Sequence, residues 1–516
     1  MLGREFRTQD AAIPMCHVSR SLNASRATVS SWSRAIACCM TLAVLLVSRS
    51  SVAQPPAALD VVEAIEQVVA SAIERAEPSI VSIARVLPEQ SVAPRPPFDP
   101  FGARFNTRQE PGPRDPSFVP SEYGTGVIVD GGGLILTANH VLGSGESYDY
   151  YITTIDRQTH KATVLASDPR SDLAILKVEA SGLRPIRFGN ADNLRKGQIV
   201  IALGNPYAIA RDGQVSASWG IVANLHRKAP RDSSDGIGNP GATLHHYGTL
   251  IQTDAKLNLG TSGGALIDKT GRMVGLTTAL AAIAGYEKAA GYAIPVDATF
   301  RRIVDTLKEG REVEYGFLGI EPDNLTEQER KIVPRGMRVN KVYAGTPAKD
   351  SGLMEGDIIT TVDGKPIFDA DSLVLEVGKQ PVHAVVTLGI VRNADQMPPT
   401  NVRLAKFPVQ GRKIYQPRPH WRGVLVDYKT ATIQEARFRQ TPPGDAVVVI
   451  DVQEGSPCWK AGLRRGMFIT HIGNRRVASP EDFEAFVRGE KKNVRLRLAE
   501  SFDGPSTAVI EPSPAE

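Results

Sequence analysis

The stretch Ala344-Gly-Thr-Pro-Ala-Lys-Asp-Ser-Gly-Leu-Met-Glu-Gly-Asp-Ile-Ile359 returns 110 residues later as Glu454-Gly-Ser-Pro-Cys-Trp-Lys-Ala-Gly-Leu-Arg-Arg-Gly-Met-Phe-Ile469. Pro347 and Pro457 suit the first turn of a short helix, where a missing N–H costs nothing, and Gly352 and Gly462 suit its end. Each copy is followed by a strand, a turn and a second helix. Each is preceded by a Gly-containing β-run, Tyr315-Gly-Phe-Leu-Gly-Ile320 in the first and Trp421-Arg-Gly-Val-Leu425 in the second. A period this long exceeds that of a solenoid, so the pattern specifies two whole domains, 315–408 and 421–500. The Pro-rich, basic segment 406–420 links them, and 501–516 is expected to be a disordered tail. A chain of 516 residues has room for a further domain ahead of the pair.

That domain reads as β. From Gly124 to about Val296, short β-runs alternate with turns: Gly126–Val129, Leu134–Thr137, Asp172–Val178, Ile199–Leu203 and Met273–Thr277. Such spacing predicts an antiparallel barrel or sandwich. Upstream, apolar residues at helical spacing from Val61 to Ile73 predict a helix over 60–76, ended by Pro78, and then a strand over 79–86. Residues 87–120, rich in Pro and Arg with Phe98-Asp-Pro-Phe-Gly-Ala-Arg-Phe105 in the middle, read as a long loop with an aromatic patch, and 226–247 as a second long, polar loop. Asp130-Gly-Gly-Gly133 is a hairpin turn and not a phosphate loop, because no Lys follows.

Residues 1–53 have the form of an export signal: arginines, an apolar run from Ala35 to Val47 too short for a comfortable span, and small residues at Ser51-Val-Ala53. The other reading is an uncleaved anchor. This segment carries six arginines against Glu5 and Asp10, so the whole net charge of +4 resides in it. The remainder is neutral, which removes the basic balance as an argument for nucleic acid. Cys16, Cys38 and Cys39 also lie there. Cys458 alone remains, so neither an internal disulfide nor a cysteine zinc site is expected, and its apolar context predicts burial.

The chemistry gathers at Gly260-Thr-Ser-Gly-Gly264. A serine hydroxyl needs a base to take its proton and donors for the oxyanion, and flanking glycines let backbone N–H groups approach a carbonyl. His140 closes one β-run and suits the base. Asp172 opens another and suits the group that holds the His140 tautomer, with Ser262 as nucleophile. The order His, Asp, Ser is that of chymotrypsin-type barrels. His245 and His246 have no further ligand at metal spacing and are expected on the surface.

With Thr137-Ala-Asn-His-Val141, Asp172-Leu-Ala-Ile-Leu-Lys177, Gln252-Thr-Asp-Ala255, Gly260-x-Ser262-Gly-Gly264, Leu203-Gly-Asn-Pro206 and Gly291-Tyr-Ala-Ile-Pro295, residues 60–500 resemble the HtrA/Deg family of serine proteases. The resemblance implies a mainly β fold: a chymotrypsin-like double β-barrel over 54–310 followed by two PDZ domains. It implies an oxyanion hole from the N–H groups of Gly260 and Ser262, with Thr261 standing where the family usually has Asn. It implies a substrate pocket lined by Leu257 and Leu276, hence small or medium aliphatic residues before the cut. Lys256 alternates to the other side and would favour acids if it turned inward. Thr277 would pair with substrate as an edge strand. Tyr315, Gly316, Phe317, Leu318, Gly319 and Ile320 would hold a peptide C-terminus in the first PDZ domain.

The resemblance also implies an exported, periplasmic or envelope endopeptidase acting on unfolded or damaged polypeptides. It implies a homo-oligomer, a trimer or a multiple of trimers, with the 87–120 loop in regulation or assembly, and no metal or organic cofactor; beside polypeptides, a weak membrane association is the one other candidate, and no nucleic acid is expected. The alternative function is a chaperone or scaffold with a weak protease domain.

Overall fold

The computed structural model describes residues 58–87, 120, 122–143, 148–205, 214–228, 243–278, 291–409, 412–432, 444–499 and 506–512. The segment read as an export signal and nearly all of the 87–120 loop lie outside them. Residues 64–516 form one compact unit.

Helix α1 (Ala58–Ala76) docks through its last turns, where Val69, Ala72, Ile73 and Ala76 enter the main core. Two six-stranded barrels follow. The first closes in the order β1 (Ile80–Val86), β2 (Glu122–Asp130), β3 (Leu134–Ala138), β6 (Leu173–Val178), β5 (Thr159–Asp168) and β4 (Asp149–Thr153), with β4 back on β1. Its interior is aliphatic, with Ile83, Val127, Ile135, Ile152 and Ile175 fully buried. Gly126 is forced by this packing: a Cβ there would lie 2.6 Å from Ile135 Cγ2.

The second barrel closes as β10 (Ala265–Asp268), β11 (Met273–Thr278), β12 (Gly291–Pro295), β9 (Leu250–Thr253), β8 (Ser216–Arg227) and β7 (Ile199–Gly204). Period-two alternation sends its side chains to two places. Val200, Ala202, Leu266, Val274 and Ala293 form a core of their own, whereas Ile201, Leu203, Ala265, Leu276 and Ile294 join the core of the first barrel. Helix α2 (Ala298–Lys308) begins at Asp297, whose side chain accepts from Phe300 N at 2.8 Å. It buries Phe300, Ile303, Val304 and Leu307, one helical stripe, in the same core.

The repeated segments each build a small sheet with a covering helix. In the first, the strand Ile320–Asn324 is the edge, followed by Met337–Val342, Ile358–Val362 and Val385–Arg392. Helix α3 (Ala370–Gly378) starts at a capping box between Asp369 and Ser372. In the second, Val424–Tyr428, Val447–Val452, Phe468–Ile472 and Val494–Leu498 repeat the order under helix α4 (Pro480–Val487). The short helices Pro347–Asp350 and Pro457–Lys460 stand at corresponding places, and Gly352 and Gly462 follow them with φ of +80° and +89°. The repeats differ at Asp357, which takes a bidentate bond from Arg392; Met467 at the matching position packs on the core instead.

The disordered tail needs correction. Thr507–Ile510 pairs with Val494–Leu498 as the last strand of the second domain, burying Ala508 and Ile510. Cys458 is buried and free, and burial pushes its thiol up to about 12.

Candidate active site

The turn Asp168–Asp172 leads into β6. Asp168 folds it over, its Oδ2 accepting from Ser171 N at 2.9 Å and Ser171 Oγ at 2.6 Å. Asp172 sits in the left-handed region at φ +55°, uncommon for a residue with a Cβ. That geometry lets it meet the 3₁₀ turn Asn139–Leu142 at three points. Its carbonyl accepts from Asn139 N at 2.9 Å, its Oδ1 from His140 N at 2.9 Å, and its Oδ2 is 2.8 Å from His140 Nδ1. The imidazole is therefore held with Nδ1–H toward the carboxylate and its lone pair on Nε2. Nε2 is buried and has no hydrogen-bond partner among the described residues.

Burial disfavours the charged imidazolium, but the charge and hydrogen bond of Asp172 outweigh it, and the His140 pKa stands above its ordinary value. Asp172 is also buried, yet His140 and its hydrogen bonds hold the carboxyl below the usual range.

Ser262 lies in a turn clamped from both barrels. Its carbonyl accepts from Thr125 N at 2.9 Å, and Thr125 Oγ1 donates to Gly260 O at 2.7 Å while accepting from Asn205 N at 2.8 Å. Gly263, at φ +84°, leaves no room for a side chain. A Cβ there would lie 2.1 Å from Thr125 O and 3.1 Å from Ala138 N, so the turn rests on the residues just before His140. Gly260 has φ +96°, and its N–H has no hydrogen-bond partner among the described residues. Thr261 closes the turn: its N and Oγ1 both donate to Asn258 O, at 3.1 and 2.7 Å. The hydroxyl thus ties a stiff residue into the loop.

The pocket residues separate. Leu257 is half-buried against the second-barrel core and directly over Gly291, where a Cβ would lie 2.8 Å from Leu257 Cδ1. Lys256 is exposed. Leu276, read as pocket lining, is instead wholly buried between the barrels, because its alternation faces the first-barrel core. Thr277 is no edge residue. β11 lies between β10 and β12, Thr277 N donates to Gly264 O at 2.9 Å, and Thr277 O accepts from Gly263 N at 2.8 Å. Its role is to brace the serine turn.

His245 corrects the surface reading. It is buried, with Nε2 2.8 Å from Ser171 O and Nδ1 2.8 Å from Thr249 Oγ1, directly behind the turn that carries Asp172. Burial holds its pKa below the ordinary value. Polar neighbours in sequence hid this; only the packing of residues 244–247 onto the Asp172 turn reveals it. Thr125 and Arg170 were missed for the same reason.

The first repeat's loop also divides. Tyr315 is fully buried and donates its hydroxyl to Asp168 Oδ2, so it joins the two domains and is not exposed to a peptide. Gly316 donates to Gln380 O at 2.8 Å, and Leu318 turns into the domain core. All of residues 316–320, with Gly319 at φ +88°, nevertheless line a cavity of about 70 Å³ between the edge strand and α3; Tyr315 does not. In the second repeat Arg422 stands where Leu318 does, bonded to the carbonyls of Lys492, Glu490 and Ile510. Val424 N there donates to Trp421 O at 2.9 Å, which closes the loop on itself.

Comparison with known proteins agrees with this architecture. A family model described as a trypsin-like peptidase domain matches residues 124–276, and two described as PDZ domains match 316–398 and 448–500. The chain is 30% identical over 441 residues to a probable periplasmic serine endoprotease DegP-like of Ectopseudomonas mendocina, covering 82% of this chain and 88% of that protein. Periplasmic serine endoprotease DegP of Escherichia coli K12 is 29% identical over 365 residues, 69% of each chain. A solved structure of the HtrA-type protease AlgW with decapeptide is 26% identical, with 68% of this chain and 99% of that one covered and a TM-score of 0.49. The chain belongs to the DegP-like family of periplasmic serine endoproteases, a serine endopeptidase with a trypsin-like peptidase domain and two PDZ domains.

Proposed function

We propose that Ser262 is the nucleophile, His140 the general base and Asp172 the group that orients it, in the cleavage of unfolded or damaged polypeptides. The carrying observation is the triple contact of Asp172 with Asn139 and His140, which leaves the lone pair of a buried Nε2 unspent, in a segment whose Thr137 and Ala138 pack against Gly263 of the serine turn. Ser262 Oγ adds to the scissile carbonyl as Nε2 takes its proton. The oxyanion rests on the N–H groups of Gly260 and Ser262, and His140 returns the proton to the leaving amine. Water then hydrolyses the acyl-enzyme by the same base. The Ser262–His140 hydrogen bond forms when substrate fills the site, as catalytic contacts commonly tighten on binding.

A fluorophosphonate probe tests this reading. Labelling of the wild type should vanish in Ser262→Ala; a wild type inert even with added peptides would favour the scaffold alternative, which the relatives do not. Leu257 supports aliphatic residues before the cut. Digestion of a denatured protein, read by mass spectrometry, should give cuts after Val, Ala or Leu. Cuts after Asp or Glu would transfer the pocket to Lys256.

The groove of the first PDZ domain takes peptide C-termini, supported by its edge strand and lining, whereas the self-closed loop of the second makes that domain architectural. The protein assembles as a trimer or a multiple of it. Ile199, Trp219 and Ile221, exposed on the adjoining strands β7 and β8, support a subunit contact. Light scattering that returns a monomer mass would overturn the assembly.

A further inference from the structure

One wall of the first PDZ groove comes from outside that domain. The cavity is lined by residues 316–320, by Val374 and Val377 of α3, by Phe407, and by Arg170 of the peptidase domain. Arg170 is 2% exposed. Its guanidinium carbon lies 3.6 Å over the Phe407 ring and 5.4 Å from that of Tyr315. Both Nε and Nη1 are buried without a hydrogen-bond partner among the described residues. Asp168, the neighbouring acid, acts on it by charge but makes no hydrogen bond to it among the described residues; its Oδ2 is taken by Ser171 and Tyr315, and its Oδ1 is buried without a partner.

A buried guanidinium with two of its three nitrogens unpartnered is costly, and aromatic faces offset only part of that cost. Its planar fork of donors matches a carboxylate with two parallel bonds. The groove supplies the rest of a site for one. Ile320–Asn324 is a sheet edge that an extended peptide can join, and the loop 316–320 turns sharply at Gly319 where such a peptide would end.

We propose that Arg170 is a recognition residue for the C-terminal carboxylate of a peptide in the first PDZ groove, so that this binding site is complete only with the peptidase domain docked against it. The inference rests on the reading that this groove binds chain ends. It makes recognition a property of the assembled chain, and it sets the bound carboxylate two residues along the backbone from Asp172.

The test uses full-length Ser262→Ala protein, which binds without cutting, and a fluorescent extended peptide with an apolar last residue, made as free acid and as C-terminal amide. Anisotropy titration should show the acid binding about tenfold or more tighter than the amide. Adding Arg170→Met should erase most of that ratio by weakening the acid alone, and Arg170→Lys should restore part of it. An unchanged acid-to-amide ratio in Arg170→Met, with both peptides still bound, overturns the role of Arg170 and leaves the groove reading intact. Equal loss of both peptides in the Met and Lys variants assigns Arg170 to packing and also overturns it. Absence of binding by either peptide in the parent protein overturns the groove reading itself.

Discussion

The chemistry of one imidazole depends on two opposed effects. Burial favours neutral His140, whereas the carboxylate of Asp172 favours the charged form and prevails. The base works only when neutral. Activity is therefore present above the raised pKa and lost as pH falls through it. The acid limb of kcat/KM should lie above the ordinary histidine value of about 6.5. Asp172→Asn should move that limb down and lower kcat by about 10⁴-fold through loss of the correct tautomer. A pH–rate profile of both proteins checks this; an unshifted limb would detach Asp172 from His140. Thr261, by contrast, is accounted for without chemistry, since its hydroxyl closes the 258–261 turn on Asn258.

At the scale of an element, the serine turn is set by what it touches. Gly263 meets the backbone of β2 and β3, and its φ suits only glycine. Gly263→Ala should cost about 1–3 kcal/mol and abolish fluorophosphonate labelling. Gly182→Ala makes the control: it too has positive φ, but a Cβ there meets nothing within 4 Å, so labelling should survive. Equal labelling of the two variants would mean that the contacts of Gly263 do not shape the site. The glycine pattern of this turn was legible before any fold was known. What was not legible is that Thr125, far upstream, bridges Gly260 and Asn205.

The whole molecule is joined by buried charge. Lys406 Nζ, almost wholly buried, bonds Glu312 at 2.8 Å and both oxygens of Asp427 at 3.0 and 2.9 Å, and its carbonyl accepts from Thr430 Oγ1 at 2.7 Å. Burial opposes its charge, but the acids around it prevail and hold its pKa above the ordinary value. One side chain thus fastens the end of the first PDZ domain to the segment before it and to the second. Lys406→Met removes the cation bonded to half-buried Asp427, leaves Glu312 with Lys413 alone, and should cost about 3–5 kcal/mol. Thermal unfolding should begin earlier and trypsin should nick the 406–420 linker faster. A variant that melts and resists protease like the parent would show that the domains are held by other contacts.

Patterns within short windows were decided by the chain alone. The 110-residue repeat, the β-runs, the glycines of tight turns and the order of His140, Asp172 and Ser262 depend on local sterics and on side-chain type. Tertiary packing decided the rest. Alternation along β11 places Leu276 and Thr277 on opposite faces, but only the closed second barrel shows that one face meets the first barrel and the other braces the serine turn. The same holds for the buried polar groups. Tyr315 reads as a peptide-binding residue and His245 as a surface residue until distant segments pack against them, and Arg170 goes unread, because the partner that satisfies, or fails to satisfy, a buried donor arrives from a distant part of the chain.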